Sequence, residues 1–261
     1  MKAYLKTIWQ CRYFWLSLVR NDLRTRYRGS VLGLGWSLLN PICMTVILCF
    51  VFATLFHQDI RIFAPMLMCG LTFWNYIVTS SIQGADCFFL GEPYIRQYPA
   101  PMAIYPLRTM LGSGFHFLLA LMLVVVMAYV MLPEPPHPLL LLWLLPTLVL
   151  LAIFGWSMAL LFGLATVRFR DMRHISELGF QAMFYVTPIM YPEKMLQERH
   201  LDMMMRFNPF AHLLRMVRDP LIYGHLPSLN VVVASVLVVG VVASLAVLAL
   251  RAEERQLIFY L

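Results

Sequence analysis

Between Arg28 and Asp59 the chain carries no charged residue. That run constrains the fold more than any other feature. Roughly 20 apolar residues at ~1.5 Å rise cover the ~30 Å hydrocarbon core of a bilayer. Lipid offers no hydrogen bonds, so a run of this kind spans as a helix. Arg24, Arg26 and Arg28 abut it, with Tyr27 among them. Lys and Arg stay beside the anionic headgroups of the cytoplasmic leaflet, so this cluster marks the side from which the chain enters. Trp36 suits the interface, where an amphipathic ring sits well. Ser30, Gly33 and Gly35 are expected to let backbones approach closely as the helix enters. Asn40-Pro41 places a missing N–H early in the span, which requires neighbouring groups to satisfy the backbone.

The same economy of charge extends along the whole chain. Of 261 residues, 61% are hydrophobic and 13% charged, with mean hydropathy +0.74. Soluble domains carry about 25% charged residues. The expectation is an all-α integral membrane protein: one domain over residues 1–261 with six transmembrane helices near 36–56, 64–84, 109–132, 139–167, 175–191 and 231–250. Most of the net charge of +7 lies in the N-terminal arm, where membrane topology accounts for it, so no nucleic-acid partner is implied. The five cysteines form no CxxC pair and read as small packing residues. The first residues are basic and aromatic, with no short apolar core before a cleavage site. The first span is expected to remain in the mature chain.

Residues 1–20 mix Lys2, Lys6, Arg12 and Arg20 with Leu5, Ile8 and Trp9, and predict an amphipathic interfacial helix. In the second span Thr72, Tyr76, Thr79 and Gln83 recur at helical spacing, which places them on one face. A polar stripe on a membrane helix faces protein or water. Residues 85–107 form the longest inner loop, divided by prolines, with Pro93 acceptable at a helix start. Pro146 is placed to kink the fourth span. Asp171 is a candidate cap for the fifth, with Glu177 pairing to Arg170 or Arg173. Phe180, Phe184 and Tyr191 share a face there, and Pro188 disturbs its outer half. Residues 192–228 are too charged to span.

Orientation follows from counting Lys and Arg. The N-terminal arm has Lys2, Lys6, Arg12, Arg20, Arg24, Arg26 and Arg28; Arg96, Arg108, Arg168, Arg170, Arg173, Arg251 and Arg255 lie on the same side. That puts 14 of the 20 basic residues with the termini, against six opposite: Arg61, Lys194, Arg199, Arg206, Arg215 and Arg218. Both termini are therefore expected in the cytoplasm.

Several chemistries are missing from the sequence. There is no Walker-type G-x-x-x-x-G-K-[ST] loop to cradle ATP phosphates. The seven histidines show no metal-ligand spacing, so no metal site and no cofactor of the chain's own are expected. His116, inside the third span, calls for a hydrogen bond to a neighbouring helix. No pair of acidic residues sits mid-membrane for proton relay or metal-dependent transfer. Aromatic and hydroxyl-bearing faces with little charge remain. They suit a sugar chain, which stacks on rings through its C–H faces and slides on weak hydrogen bonds; ordinary helix packing accounts for them equally well.

Four separated segments resemble one family. Asp22-Leu23, Arg26-Tyr27-Arg28, Ser30-Val31-Leu32-Gly33, Trp36 and Asn40-Pro41 look like the membrane-entrance segment of polysaccharide-export permeases, the type-2 ABC transporter subunits that export O-antigen, capsule or teichoic acid chains. Ile95-Arg96, Tyr98-Pro99 and Pro106-Leu107 resemble their coupling segment, with less charge at Arg96 and Gln97 than is usual there. Phe169-Arg170-Asp171 matches an inner loop. Asn208-Pro209 and the run from Arg215 to Asp219 resemble an outer segment in which two short re-entrant helices precede the last span. The resemblance implies a homodimer with two copies of a separate ATP-binding cassette subunit, which holds the ATP and Mg. Glu92, Tyr94, Ile95, Arg96, Gln97 and Tyr98 are then the ATPase-coupling residues. Arg24, Arg26, Tyr27, Arg28 and Trp36 form the cytoplasmic entrance. Thr72, Tyr76, Thr79, Gln83, Phe180, Phe184 and Tyr191 line the translocation path. The implied substrate is a polysaccharide on an undecaprenyl-type lipid in the bacterial inner membrane, most naturally O-antigen. A capsular polysaccharide or teichoic acid exporter, a small-molecule exporter of the same fold and a membrane-embedded glycosyl- or lipid-transferase remain the alternatives; the lack of paired acidic residues argues against the transferase.

Overall fold

Charge and the Gly/Pro punctuation decide where the helices start and stop. The computed structural model describes residues 2–55, 57–97, 100–191, 207–254 and 256–260, and among these there is helix and no strand. In chain order the helices are α1 (Lys2–Gln10), α2 (Arg12–Tyr27), α3 (Gly35–Leu55), α4 (Ile60–Ala85), α5 (Cys87–Ile95), α6 (Ile104–Met131), α7 (Pro138–Leu141), α8 (Leu144–Arg168), α9 (Met172–Val186), α10 (Pro209–Arg218), α11 (Leu229–Glu253) and α12 (Leu257–Tyr260).

The basic arm is helical past residue 20, as far as Tyr27. Gly29 and Gly33 then adopt φ of 78° and 50°, the left-handed region that costs least without a Cβ. Nothing lies within 4 Å of where a Cβ would stand at either residue. These glycines shape a turn, in which Ser30 Oγ accepts from the Gly33 N–H at 3.2 Å. Gly33 does not serve the close helix packing expected of it.

Among the described residues, five helices are long and apolar enough to cross a membrane: α3, α4, α6, the α7–α8 pair and α11. α4 is central. Of its apolar window 72% is buried, against 28% or less for the other four, and α3, α6, α8, α9 and α10 all pack on it. Hydrophobicity gives helices little reason to associate in lipid, so close contact has to do it. Where α4 meets α8, Gly84 lies directly on the Ala159 backbone, and the Gly84 carbonyl lies under Gly163. The proline effects are local. Pro146 has no N–H to give the Leu142 carbonyl; the Leu145 N–H bonds it instead at 3.1 Å, and the helix is broken between α7 and α8. Pro41 stays inside α3, and its own carbonyl accepts from Thr45 Oγ1 at 2.7 Å. Pro93 lies inside α5, which already starts at Cys87, so it does not open the helix as expected.

The expected fifth span, 175–191, is different. α9 has 15 residues and ends at Val186, or about 22 Å, short of the ~30 Å core. Pro188 is the cause. It forces the residue before it out of helical geometry, and Thr187 is extended at φ −86°, ψ 135°. Asp171 occupies the cap position of α9 but makes no side-chain cap hydrogen bond. Arg173 pairs with Asp86 at the end of α4, and with Glu177 at 3.3 Å. From there the chain runs antiparallel to α4. Phe180 meets Trp74, with ring centroids 6.2 Å apart, and Ile189 lies against Gly70.

Of the two short outer helices expected before the last span, one falls on described residues. Asn208 caps α10, accepting from the N–H groups of Phe210 at 2.9 Å and Ala211 at 3.3 Å, with Pro209 at the first helical position. Phe210 stacks edge-on to Trp74 at 5.4 Å, so α10 starts deep along α4. Arg218 is beside Gly70 and Tyr223 beside Met66, so α10 climbs towards the start of α4. A π-helical turn, Asp219–Tyr223, ends at Gly224 with φ 67°. The other expected helix, within 192–206, lies outside the described residues.

Candidate functional site

The end of the molecule where the termini meet is tied together by polar contacts. Tyr4 of α1 donates to Glu254 Oε1 at 2.6 Å. The same carboxylate oxygen accepts from the Met102 N–H at 3.4 Å, and the Tyr4 hydroxyl accepts from the Ala103 N–H at 3.4 Å. One carboxylate and one phenol thus join the N-terminal arm, the C-terminal tail and the chain leading into α6. Burial, then the hydrogen bond to Glu254 and its charge, hold the Tyr4 pKa above the ordinary tyrosine value. Arg168 adds a pairing with Glu253 at 2.6 Å. Arg108 holds Asp22 through two nitrogens, joining α6 to α2.

The expected coupling residues lie on this end. Glu92 and Arg96 pair one turn apart at 2.8 Å, with Arg96 exposed. Tyr94 packs edge-on to Phe14 of α2, with centroids at 6.0 Å. Ile95 is buried in a core with Phe88, Tyr105 and Leu160. Gln97 and Tyr94 face Thr7, Gln10 and Cys11 across an open groove of about 580 Å³. Tyr98 lies outside the described residues. α5 is thus anchored by Cys87, Phe88, Gly91 and Ile95, while Arg96 and Gln97 just beyond it are exposed beside the N-terminal arm.

A second site lies between α2, α3, α4 and α6. Its seed is a triad: Tyr27 and Ser37 share a short hydrogen bond, and His116 of α6 lies 3.1 Å from the Tyr27 hydroxyl and 3.0 Å from Ser37 Oγ. His116 thus makes the inter-helix hydrogen bonds that its place in an apolar span predicts. A cavity of about 170 Å³ opens beside the triad. Arg26, Trp36, Asn40, Thr72, Asn75, Tyr76, Thr79 and Ser113 also line it. Tyr76 donates to the Leu151 carbonyl at 3.0 Å, and Thr79 to Asn75 Oδ1 at 3.3 Å. Two groups of residues read separately from the sequence, the entrance and the polar stripe, therefore meet in one place. Gln83 leaves the stripe. It is exposed and lines an adjoining cavity of about 370 Å³ with Asp22, Arg26, Asp86, Arg108 and Thr109. Arg24 and Arg28 stay exposed at the end of α2.

The aromatic part of the expected path separates from the polar part. Phe180 is buried among Trp74, Phe162 and Phe210, as a packing residue. Phe184 touches Trp74 and borders a wide apolar groove of about 530 Å³ between α3, α4 and α9. Tyr191 donates to the Tyr185 carbonyl at 2.7 Å near the end of α9.

The burial of Arg218 was hidden from the sequence, in which it counts only among the charges on the outer side. It is fully buried. Its Nη1 donates to the Pro188 carbonyl at 2.7 Å and its Nη2 to Ile189 at 3.1 Å. These carbonyls follow the abrupt end of α9 and have no helical partner, so the guanidinium supplies one. The available signal was Pro188 itself, which frees backbone acceptors at a depth without water.

Residues 13–222 match the model of the ABC-2 type transporter family. An O-antigen export system permease protein RfbA of Klebsiella pneumoniae is 29% identical over 80% of each chain. A protein of the same name from Myxococcus xanthus is 28% identical over 97% of this chain and 98% of its own length.

Proposed function

This chain belongs to the ABC-2 type transporter family as a multi-pass membrane permease, and from that premise we propose that it exports a lipid-linked polysaccharide, most specifically O-antigen, across the bacterial inner membrane. The observation that carries the reading is the alignment with an O-antigen export permease over 97% of this chain. A permease of this family works with an ATP-binding partner, which supplies ATP hydrolysis. In this reading the chain is a single domain that pairs with a second copy of itself, with both termini in the cytoplasm. α9 and the residues after it make a sixth crossing, and α10 is re-entrant.

The geometry supports a route for force. The partner docks on the exposed Arg96 and Gln97 and the half-buried Glu92 and Tyr94, with Tyr98 next in the sequence, and on the groove against α1 and α2. A push on α5 reaches α2 through Tyr94 and Phe14, and reaches α6 and the tail through the Tyr4–Glu254 contact. α2 carries Arg26 and Tyr27, so the same movement acts on the polar cavity at Thr72, Tyr76 and Thr79. The substrate is taken from the inner leaflet at Arg24, Arg26, Arg28 and Trp36. Phe184 and Tyr191 face the sugar chain further out, and Phe180 holds the helix that carries them.

Everted membrane vesicles test this. Lipid-linked glycan should accumulate inside only when the chain, its ATP-binding partner and ATP are all present. The double variant Arg96→Glu with Tyr98→Ala should leave the complex assembled but uncouple ATP hydrolysis from export. ATP hydrolysis by the purified chain alone would remove the reading.

A further inference from the structure

α9 is held differently at its two ends. Of its own residues Ser176 and Phe180 alone are buried, whereas Thr187, Pro188 and Ile189 just beyond it are all buried. That outer end is pinned to both ends of α10. Asn208 Nδ2 donates to Thr187 Oγ1 at 3.0 Å while its Oδ1 caps α10. At the far end of α10 the Arg218 guanidinium donates to the Pro188 and Ile189 carbonyls. These bonds are sealed from water, so parting any of them leaves a buried polar group unpaired. The inner end is held more loosely. Arg173 reaches Asp86, with 45% and 28% of the two side chains exposed, and Arg170 lies 5.7 Å over the Phe89 ring of α5. Exposed ion pairs contribute little. Arg173 also reaches Glu177 of its own helix at 3.3 Å, so it keeps a partner when it leaves Asp86. Between the ends, Phe180 and Phe184 meet Trp74 with ring centroids at 6.2 and 6.0 Å, and apolar contacts of this kind set no fixed direction.

We propose that α9 is a lever: Arg218 and Asn208 are positioning residues that fix its outer end on α10, and Arg173 is the latch that α5 releases at its inner end. The inference rests on the permease reading and assigns a moving part within it. Asp86 stands at the joint, closing α4 and directly preceding Cys87, the first residue of α5. A push on α5 turns that joint and draws Asp86 away from Arg173. Arg173 then keeps Glu177, so release breaks one exposed pair and strands no buried charge. With the outer end fixed, α9 tilts about Thr187, where the backbone is already extended and can absorb the change in dihedral angles. The tilt parts α9 from α4 between Arg173 and Phe180. On α9 the apolar groove of about 530 Å³ is lined from Phe184 outward, and the tilt extends it inward, towards the side from which the glycan comes. A helix that slid as a whole would move both ends alike. In a lever, Ile175 lies about 18 Å along the helix from Thr187 and Tyr185 about 3 Å, so the inner residue travels about six times as far, roughly 3 Å for each 10° of tilt.

The test is distance measurement by double electron–electron resonance on the full chain with its ATP-binding partner in nanodiscs. The native cysteines are replaced, and spin-labelled chain is diluted with unlabelled chain. One label pair is Ile175→Cys with Leu248→Cys, which reports the inner end of α9 against α11; the other is Tyr185→Cys with His225→Cys, which reports its outer end against the turn after α10. All four positions are exposed. A non-hydrolysable ATP analogue should shift the inner distance by about 3 Å or more and the outer one by less than about 1 Å. Arg173→Gln should bring the inner distance to its nucleotide-bound value without nucleotide. It should also lower the glycan exported per ATP hydrolysed by about threefold and leave the melting temperature unchanged, which separates a latch from a merely structural pair. Arg218→Lys should broaden the outer distance. Equal shifts in the two pairs, no shift at Ile175, or an Arg173→Gln chain that behaves as its parent would each overturn the lever, and ATP-driven export in the same preparation would leave the permease reading standing. Failure of the chain to assemble with any ATP-binding partner would strike the permease reading instead.

Discussion

Replacing Gly84 by alanine should be among the most damaging single-methyl changes in this protein. A Cβ there would lie 2.7 Å from Ala159 Cβ and 3.0 Å from the Ala159 carbonyl oxygen, and closer still to Ala159 Cα. Carbon atoms rest at about 3.5–4.0 Å, so the α4 and α8 backbones must separate by about an ångström. No rotamer relieves this, because the obstruction is main chain. Overpacking of a tight core costs about 1–3 kcal/mol, and backbone against backbone belongs at the upper end. Alanine recovers roughly 1 kcal/mol through helix propensity. The net expectation is a loss of about 1–2 kcal/mol. Gly112→Ala and Gly240→Ala serve as controls, since nothing lies within 4 Å of a Cβ at either position; propensity alone then acts, and both should be neutral or stabilising. Thermal unfolding in detergent, followed by the monodisperse fraction on size exclusion, orders the three variants. Adding Ala159→Gly to Gly84→Ala should rescue only in part, because the Ala159 Cα obstruction remains. A Gly84→Ala protein as stable as its parent, or full rescue by Ala159→Gly, would refute the close-approach argument. Because α5 starts three residues after Gly84, the same variant should also lower coupling between ATP hydrolysis and export.

Three further outcomes are expected. Tyr4→Phe removes the bond to Glu254 and should loosen the arm from the tail, read as faster hydrogen exchange around Met102 and Ala103. Tyr4 holds its proton more tightly in the folded chain than at the ordinary value of 10.0. Its contribution to stability is therefore fully present below pH 10 and falls as pH rises towards the folded pKa; the parent should show a steeper alkaline loss than Tyr4→Phe. At the other end, Arg218→Lys offers one compact ammonium to two carbonyls and should cost about 1.5–3 kcal/mol, one charge-assisted hydrogen bond; unchanged thermal stability would show that the Pro188 and Ile189 carbonyls do not depend on the guanidinium. Gly70→Ala puts a Cβ 2.8 Å from the same guanidinium and 3.0 Å from the Ile189 carbonyl, and a melting temperature equal to the parent's would count against that contact in the same way.

How much of this was legible in the sequence varied with the kind of feature. Spans α3, α4, α6, α8 and α11 follow from apolar run length, and their ends fall within a few residues of the expected ones. The helical spacing of Thr72, Tyr76 and Thr79 correctly placed them on one polar wall. The same spacing misled at Gln83, because the cavity ends before the helix does. It also misled at Phe180, where an aromatic face meets Trp74 and Phe210 instead of open space. Ser30 and Gly33 have the residue types of a close-packed helix, yet they form a turn.

The sequence by itself determined what depends on solvent: which stretches leave water, which end stays with the basic residues, and that this chain has no phosphate loop of its own. Those properties belong to single segments, and hydropathy and charge are additive along a chain. Only the tertiary structure decided which groups satisfy one another. Arg218 seals the carbonyls left by Pro188, His116 meets Tyr27 and Ser37 across three helices, and Asp22 occupies two of Arg108's nitrogens but not the third. Pairings of that kind depend on how distant helices pack, and no local pattern along the chain encodes them.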